Sequence, residues 1–246
     1  VIPMLPKALS NGICSLNPNE DRLAFSCLME VGFDGILRNY AFHKTIICSR
    51  VQGVYTEVNK LIAGSKSKKL AEKYAEVLPQ IPIMNELAAV LEKNRKQRGA
   101  PEIVTVESKI KTDKNGVCIE VSPRESGVSQ GIIEEFMLLA NNAAASVAMK
   151  NQLPFVYRIH ENPSEERLLN LAETFTVLGI DSKGINERSK AADLASVLEK
   201  TKESPLFPIV NSLVLRSMAK AKYSPEPVGH FGLVMAEYAH FTSPIR

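Results

Sequence analysis

The stretch G-I-I-E-E-F-M-L-L-A-N-N-A-A-A-S-V-A-M-K, residues 131–150, decides the interpretation of the fold. As a helix it would be apolar around most of its circumference, which is typical of a buried element. Its second half carries small residues that permit close packing of neighbours: Ala140, Ala143, Ala144, Ala145 and Ala148. The pattern therefore predicts a buried central helix.

Two β-hairpins are predicted before this helix. Residues 22–33 and 36–48 are rich in β-branched and aromatic residues, and the intervening Asp34-Gly35 is a strong hairpin signal. A second pair of strands is predicted within residues 102–121, around the turn Lys114-Asn115-Gly116. The first half of the chain should thus contain two local antiparallel pairs.

A helical pattern occupies residues 55–99, between the two hairpins. Its last helix ends in the basic run Lys93–Arg98 and is stopped by Gly99 and Pro101. Two interpretations of the basic run stay open. It is either a solvated helix end whose cations complement the helix dipole, or a contact surface for nucleic-acid phosphates.

After the central helix, the pattern predicts a short strand and three further helices. They cover residues 154–159 (strand), 164–178, 188–202 and 206–221 (helices), with Ser164 as an N-cap. Short strands mixed with helices along one chain indicate an α+β fold in a single domain over residues 1–246.

The composition of the chain excludes few classes of function. The chain is 45% hydrophobic with a net charge of +3, which neither identifies nor excludes a nucleic-acid binder. The cysteines form no C-x-x-C pair, so structural thiols and a reducing, cytoplasmic setting are expected; they are Cys14, Cys27, Cys48 and Cys118. No apolar run approaches the roughly 18 residues that cross a bilayer, so no membrane partner is expected.

Both ends read as cuts through a larger protein. The chain starts V-I-P-M-L-P without an initiator Met and stops at H-F-T-S-P-I-R, inside what reads as an ordered segment. Its aspartates are scattered singly. Metal-assisted phosphoryl chemistry would therefore need ligands from outside this chain.

Four features could carry chemistry, each with a plainer alternative. Glu134 on the apolar helix is either functional or, with Glu135, a narrow solvent stripe. The segment 157–160 holds either a ligand-facing Arg and His or a surface Arg and a capping His. Arg216 needs a phosphate or, more commonly, an internal carboxylate. The glycines, hydroxyls and Arg of 229–246 could cradle a phosphate.

The last segment makes a resemblance visible. G-H-F-G-L-V-M-A-E-Y-A-H-F-T-S-P-I-R (229–246) closely resembles the signature of the ribonuclease R / ribonuclease II catalytic domain, the RNB domain. Further blocks resemble the same family in the same order: I-P-M-L-P-K-A-L-S-N-G-I-C-S-L-N-P-N-E-D-R-L (2–23), E-E-F-M-L-L-A-N (134–141), R-I-H-E-N-P (158–163) and L-R-S-M-A-K-A-K-Y (215–223). Within it, the sequence Tyr-Ala-His-Phe-Thr-Ser-Pro resembles ribonuclease R more closely than ribonuclease II.

The resemblance implies a processive 3′→5′ exoribonuclease that hydrolyses single-stranded RNA to nucleoside 5′-monophosphates with two divalent ions, normally Mg²⁺. By this resemblance, Arg246 is the active-site arginine that neutralises charge on the scissile phosphate. Glu134 matches a buried active-site glutamate of the family. The family's RNA channel would be lined by Arg158, His160, Thr242 and Ser243.

The chain also departs from the family pattern. The aspartate cluster that binds the metal ions precedes residue 2 in the family and is absent here, as are the flanking OB-type RNA-binding domains. An aromatic base-stacking position falls at Ile103. The chain alone is therefore expected to be inactive. The alternatives are a single-stranded-RNA-binding module that does not cut, or a self-associating fragment with exposed apolar surface.

Overall fold

The structure is a computed structural model that describes residues 4–104, 108–123, 126–181 and 184–242. It divides into two compact units. Unit 1 comprises Val1–Leu91 and Ser126–Met137, and unit 2 comprises Glu92–Glu125 and Leu138–Arg246. Helices and strands are both present, which confirms the predicted α+β class.

Unit 1 begins with a short π-helical turn, Leu9–Ile13, followed by the first hairpin and two helices. The elements are β1 (Asp21–Val31), β2 (Leu37–Cys48), α1 (Tyr55–Ile62) and α2 (Lys68–Lys73). Two longer helices start in this unit and continue into the next: α3 (Gln80–Gln97) and α4 (Val128–Lys150).

The first hairpin agrees closely with its prediction. β1 and β2 pair antiparallel from Asp21↔Cys48 to Val31↔Leu37, with a register shift at Glu30/Val31. The turn is fixed by Asp34, whose side chain accepts from the Ile36 N–H at 3.0 Å. Apolar side chains nevertheless stay exposed on this two-stranded sheet; Leu23 is 84% exposed.

The helices of unit 1 are tied together by polar contacts at a buried tyrosine. Tyr74 is 1% exposed. Its hydroxyl donates to Glu57 Oε2 at 2.7 Å and accepts from the Val54 N–H at 3.0 Å. Hydrogen bonds from Lys73 and Tyr74 lower the pKa of Glu57, so that carboxylate is held in its charged form.

Unit 2 contains the second hairpin, a helical bundle and a small sheet. Its elements are β3 (Ser108–Thr112), β4 (Cys118–Pro123), β5 (Tyr157–Ile159), α5 (Glu165–Val177), α6 (Ala191–Thr201), α7 (Phe207–Ser217), β6 (Lys222–Ser224) and a 3-10 turn, Phe231–Leu233. The bundle core lies between α5, α6 and α7, where Phe175, Leu194, Val210 and Val214 are each 0% exposed.

The two last predicted helices are shorter than expected. α6 begins at Ala191 because the Lys190 N–H is capped by Asp193 Oδ2 at 2.7 Å. α7 ends at Ser217, since Met218 is extended with ψ 151°. Residues 218–221 are neither helix nor strand, and β6 follows from Lys222 and pairs with β5, so the predicted helix through residue 221 is wrong. The Ser164 N-cap is confirmed, accepting from the Arg167 N–H at 3.4 Å.

The central helix, α4, is as apolar as predicted, and several of its alanines are buried. At 23 residues it is also long and apolar enough to cross a membrane by length and composition alone, with 44% of its most apolar window buried. The expectation that no segment reaches that threshold is therefore wrong for the described residues. One such helix is weak support for a span, because core helices of soluble proteins pass the same test.

Gly99, which follows α3, should resist substitution. Its φ is +85°, and a Cβ there would lie 2.5 Å from the Ala192 Cβ on α6. Gly179 in the same unit has φ +68° and no atom within 4 Å of the added carbon. We expect Gly99→Ala to lower the free energy of unfolding by about 2 to 4 kcal/mol and Gly179→Ala by about 1 to 2 kcal/mol, measured by urea denaturation. Equal losses for the two variants would show that Ala192 moves aside at no energetic cost.

Candidate functional site

A continuous chain of ring side chains marks the candidate site in unit 2. Neighbouring ring centroids along it are 6.0, 5.1, 5.3, 5.7 and 5.7 Å apart, all edge to face. In order, the rings belong to Phe231, His160, His230, Tyr238, His240 and Tyr223.

The small sheet positions one end of this ring chain. β5 lies against the small residues of α4, where Ala145 and Ala148 pack on Tyr157 and Ile159. The predicted close packing on the alanine face of α4 therefore delivers the strand that carries Arg158 and His160.

The loop 229–235 folds back onto the end of β5. The His160 N–H donates to the Gly229 carbonyl at 3.0 Å, and the Phe231 N–H donates to the His160 carbonyl at 2.8 Å. Gly229 has φ +94°. A Cβ on Gly232 would lie 3.0 Å from His160 Nδ1. These glycines let the loop backbone approach the imidazole.

Both histidines at the centre are held in the neutral form. Burial lowers the pKa of His230 to about 4, and nearby His160, Arg158 and His240 act in the same direction. Burial also lowers the pKa of His160, opposed by the Ala219 backbone and reinforced by Arg158. Each Nδ1 accepts a backbone N–H at 3.2 Å, from Gly232 and Leu233. His160 Nε2 is buried and makes no hydrogen bond of good geometry to the described residues.

Arg158 stands beside these histidines as the charged group of the site. Its guanidinium lies over the Tyr223 ring, 4.8 Å from the centroid. The Tyr223 hydroxyl is hydrogen-bonded to His240 Nδ1 at 2.8 Å. Within the described part of the chain, none of the ion pairs involves Arg158. Its donors therefore remain available to an anionic ligand.

Asn141 on α4 fixes the last described segment. Its Oδ1 accepts from the Phe241 and Thr242 N–H groups, both at 2.9 Å, and from the Thr242 hydroxyl at 3.1 Å. Its Nδ2 donates to the Tyr238 hydroxyl at 3.0 Å. Backbone N–H groups only donate, so this amide orientation is determined by chemistry. The residue is 2% exposed.

The remaining predicted site residues are Glu134, Ile103, Ser243 and Arg246. Glu134 is exposed, so the expectation of a buried glutamate at that position is wrong; the adjacent Glu135 is buried at 7% exposure. The Ile103 side chain packs against the helical core. Ser243 and Arg246 lie outside the described residues.

Two basic features of the sequence, Arg216 and the run Lys93–Arg98, lie at the protein surface in the structure. Arg216 is exposed on α7, so it is not the embedded cation that its apolar neighbours in the sequence indicated. In the run Lys93–Arg98, Lys96 pairs with Glu92 at 2.7 Å and with Glu102 at 3.4 Å. These pairs favour the solvated-face interpretation of that run.

The described residues contain no group of three or more His, Cys, Asp or Glu side chains that could hold a metal ion. They therefore do not fit a Mg²⁺ site. The arrangement can donate hydrogen bonds to an anion and offer rings for stacking.

Sequence reasoning missed several members of the cluster. No individual role was predicted for Asn141, Tyr223, Tyr238, His230 or His240, although all five lie within the family-like blocks. The available signal was a polar or aromatic residue in an otherwise apolar stretch, as for Asn141 on α4.

Replacing Asn141 should destabilise unit 2. Asn141→Ala leaves two partly buried N–H groups and a hydroxyl without their acceptor, and we expect a loss of about 3 kcal/mol in the free energy of unfolding. Tyr238→Phe removes the hydroxyl that accepts from Nδ2 while Oδ1 keeps its three donors, and it should cost about 1 kcal/mol. Urea denaturation followed by circular dichroism measures both. Equal losses would mean that the acceptor bonds contribute nothing.

Stability should fall as the medium becomes acidic. Because the folded-state pKa values of His160 and His230 lie below their unfolded values, the unfolded chain takes up protons first. The stability they provide is fully present above about pH 6.5 and is lost progressively toward about pH 4. Melting temperatures measured across this window should drop less for His230→Gln than for wild type. His43→Gln, an exposed histidine on β2, is the matched control and should behave as wild type.

Comparison with known proteins places this geometry in a family. A family model described as the RNB domain matches residues 1–246. Ribonuclease R 1 of Lactococcus lactis is 41% identical over 246 residues, covering 100% of this chain and 30% of that protein. Ribonuclease R of Thermotoga maritima is 39% identical over 247 residues, covering 100% of this chain and 34% of that protein. The chain thus spans about a third of the length of these curated relatives.

Comparison with solved structures agrees with the comparison of sequences. The apo form of Mycoplasma genitalium RNase R matches with a TM-score of 0.92 and 31% identity, over 99% of this chain and 38% of that chain. The same protein in complex with ribose-methylated single-stranded RNA also matches with a TM-score of 0.92. With the whole chain matched in sequence and in fold, this polypeptide belongs to the RNB family.

Proposed function

We propose that this chain is part of a processive 3′→5′ exoribonuclease of the ribonuclease R type, which degrades single-stranded RNA to nucleoside 5′-monophosphates. One observation carries the proposal: 99% of the chain shares its fold, at a TM-score of 0.92, with an RNase R in complex with single-stranded RNA. Identity of 41% to a ribonuclease R over the full chain supports it.

The site supports the binding half of this activity. Arg158 is a guanidinium without an ion-pair partner in the described residues, next to exposed and half-buried rings. Single-stranded RNA is bound by such groups through phosphate contacts and base stacking. We assign phosphate contacts to Arg158, His160, Thr242 and Ser243. The Thr242 hydroxyl donates its one hydrogen to Asn141 Oδ1, and a phosphate oxygen only accepts, so a phosphate contact from Thr242 would require that hydrogen bond to be exchanged.

The hydrolytic half needs more than the described residues. We propose that Arg246 neutralises charge on the scissile phosphate and that Glu134 orients the leaving end or a water. Two Mg²⁺ ions would supply the activated water, with ligands from the part of the protein outside this chain. The chain alone should therefore bind RNA without cutting it.

Self-association is the second candidate behaviour of the isolated chain. It rests on the apolar side chains that the two-stranded sheets leave exposed, among them Leu23 at 84%, Ile46 at 70% and Val121 at 63%. Exposed apolar strands with open edges favour pairing between copies. We further propose a cytoplasmic location, on the ground that the cysteine spacing shows no pairing pattern.

The assay that tests this function uses a 5′-labelled single-stranded oligoribonucleotide, Mg²⁺ and denaturing gels. We expect binding without cleavage by this chain. Mixing it with the preceding segment of a ribonuclease R relative should yield a ladder that shortens from the 3′ end, and Arg246→Ala should remove that activity by at least about a hundredfold. A 3′-shortening ladder from this chain alone would refute the assignment of the metal ligands elsewhere. Light scattering of the same sample measures self-association.

A further inference from the structure

The strand register brings one charged and one aromatic side chain together. β5 and β6 pair antiparallel with Arg158 directly opposite Tyr223. Directly opposed residues of an antiparallel pair project from the same face of the sheet. The guanidinium carbon of Arg158 lies 4.8 Å from the centre of the Tyr223 ring, which is the distance of a cation–π contact.

The tyrosine is itself held in place. Its hydroxyl bonds to His240 Nδ1 at 2.8 Å, and the His240 ring contacts Tyr238, 5.7 Å between centroids. Tyr238 in turn accepts from Asn141 Nδ2 at 3.0 Å. A run of specific contacts thus leads from the buried amide on α4 to a tyrosine that is 43% exposed at the surface.

We propose that Tyr223 is a positioning residue for Arg158, and that the two form a subsite that contacts phosphate and base of single-stranded RNA. This inference rests on the proposed RNA-binding function and adds Tyr223 to it. Tyr223 ends the family-like block 215–223, but no individual role was predicted for it from the sequence, because tyrosine is common at strand surfaces.

The chemistry follows from the shape of the guanidinium. All five N–H donors of arginine lie in one plane, so a guanidinium placed over a ring directs its donors sideways, away from the ring. Phosphate oxygens accept such a fork bidentately. A free arginine side chain samples many rotamers, and the Tyr223 ring reduces that freedom before RNA arrives. The exposed part of the tyrosine offers a surface on which a base can stack.

A purely structural role for the pair makes different predictions. If the contact only joined β5 to β6, its loss would lower stability, and any effect on RNA affinity would be independent of Arg158. If Tyr223 acts through Arg158, the two substitutions must be coupled. The salt dependence of binding adds a second criterion, because it counts the phosphates that are neutralised.

The test is a double-mutant cycle on the full chain, read by fluorescence anisotropy with a labelled single-stranded oligoribonucleotide between about 50 and 200 mM salt. Arg158→Ala should weaken binding about fivefold to tenfold and lower the salt slope by about one. Tyr223→Leu should weaken binding at least as much, because it also removes the stacking surface, and the double variant should be no weaker than Tyr223→Leu within about twofold.

Three control variants sharpen the cycle. Tyr223→Phe keeps the ring but loses the bond to His240, so a loss of about twofold to threefold is expected. Arg158→Lys keeps the charge without the planar fork and should retain the salt slope with weaker binding. Arg216→Ala removes an exposed arginine from α7 and should leave affinity unchanged within about twofold.

Multiplicative losses in the double variant, or a Tyr223→Leu variant with wild-type affinity, would overturn the positioning role. If the wild-type chain binds no oligoribonucleotide at any salt, the proposed RNA binding fails. Nuclear magnetic resonance of the Arg158 Nε–H group then decides the positioning role separately. A ring-current shift that disappears in folded Tyr223→Leu supports it, and an unchanged resonance overturns it.

Discussion

The described site depends on one buried amide. Asn141 Oδ1 takes three donors from Phe241 and Thr242, and because Asn141 is itself only 2% exposed, water has little access to replace this acceptor. Neighbouring residues on α4 extend the contact: Asn142 Nδ2 donates to the Glu237 carbonyl at 2.8 Å. A side chain on a rigid helix therefore determines the path of the segment that leads toward the family-like C-terminal motif.

Burial of the histidines also shapes the electrostatics of the site. Charging His160 or His230 would require desolvating a cation next to Arg158, and each imidazole would lose the backbone N–H that its Nδ1 accepts. Near neutral pH the cluster thus presents the positive charge of Arg158, surrounded by polar rings. An anion that approaches meets one oriented charge-assisted donor group, which favours a defined position over general attraction.

Local patterns in the sequence predicted the elements that depend on local chemistry. The Asp34-Gly35 turn, the Ser164 cap and the apolar, alanine-rich α4 were all recognisable because each is decided within a few residues. β6 was not, because three residues carry no periodicity and become a strand only by pairing with β5. The exposure of Glu134 was also missed, since two adjacent glutamates on a helix give no hint of which one is turned inward.

The site residues also divide into those that local sequence indicates and those that depend on distant contacts. Arg158, His160 and Thr242 were indicated by their local sequence and by resemblance to a family, whereas Tyr223 and Asn141 acquire their roles only from contacts between distant parts of the chain. Asn141 lies 100 residues before Phe241 in the sequence. Such pairings are invisible to spacing rules, which see a single element at a time.

Under the proposed function, the distribution of chemical groups separates RNA binding from hydrolysis along the polypeptide. The described residues hold a guanidinium, neutral imidazoles, amides and rings, which recognise phosphates and bases. They hold no cluster of carboxylates or imidazoles able to hold a divalent ion. Divalent-ion ligands must converge within about 2 to 3 Å of one point, whereas an RNA strand is contacted along several nucleotides. A chain that spans about a third of its relatives' length can therefore carry an extended binding surface even where the ion ligands come from another segment.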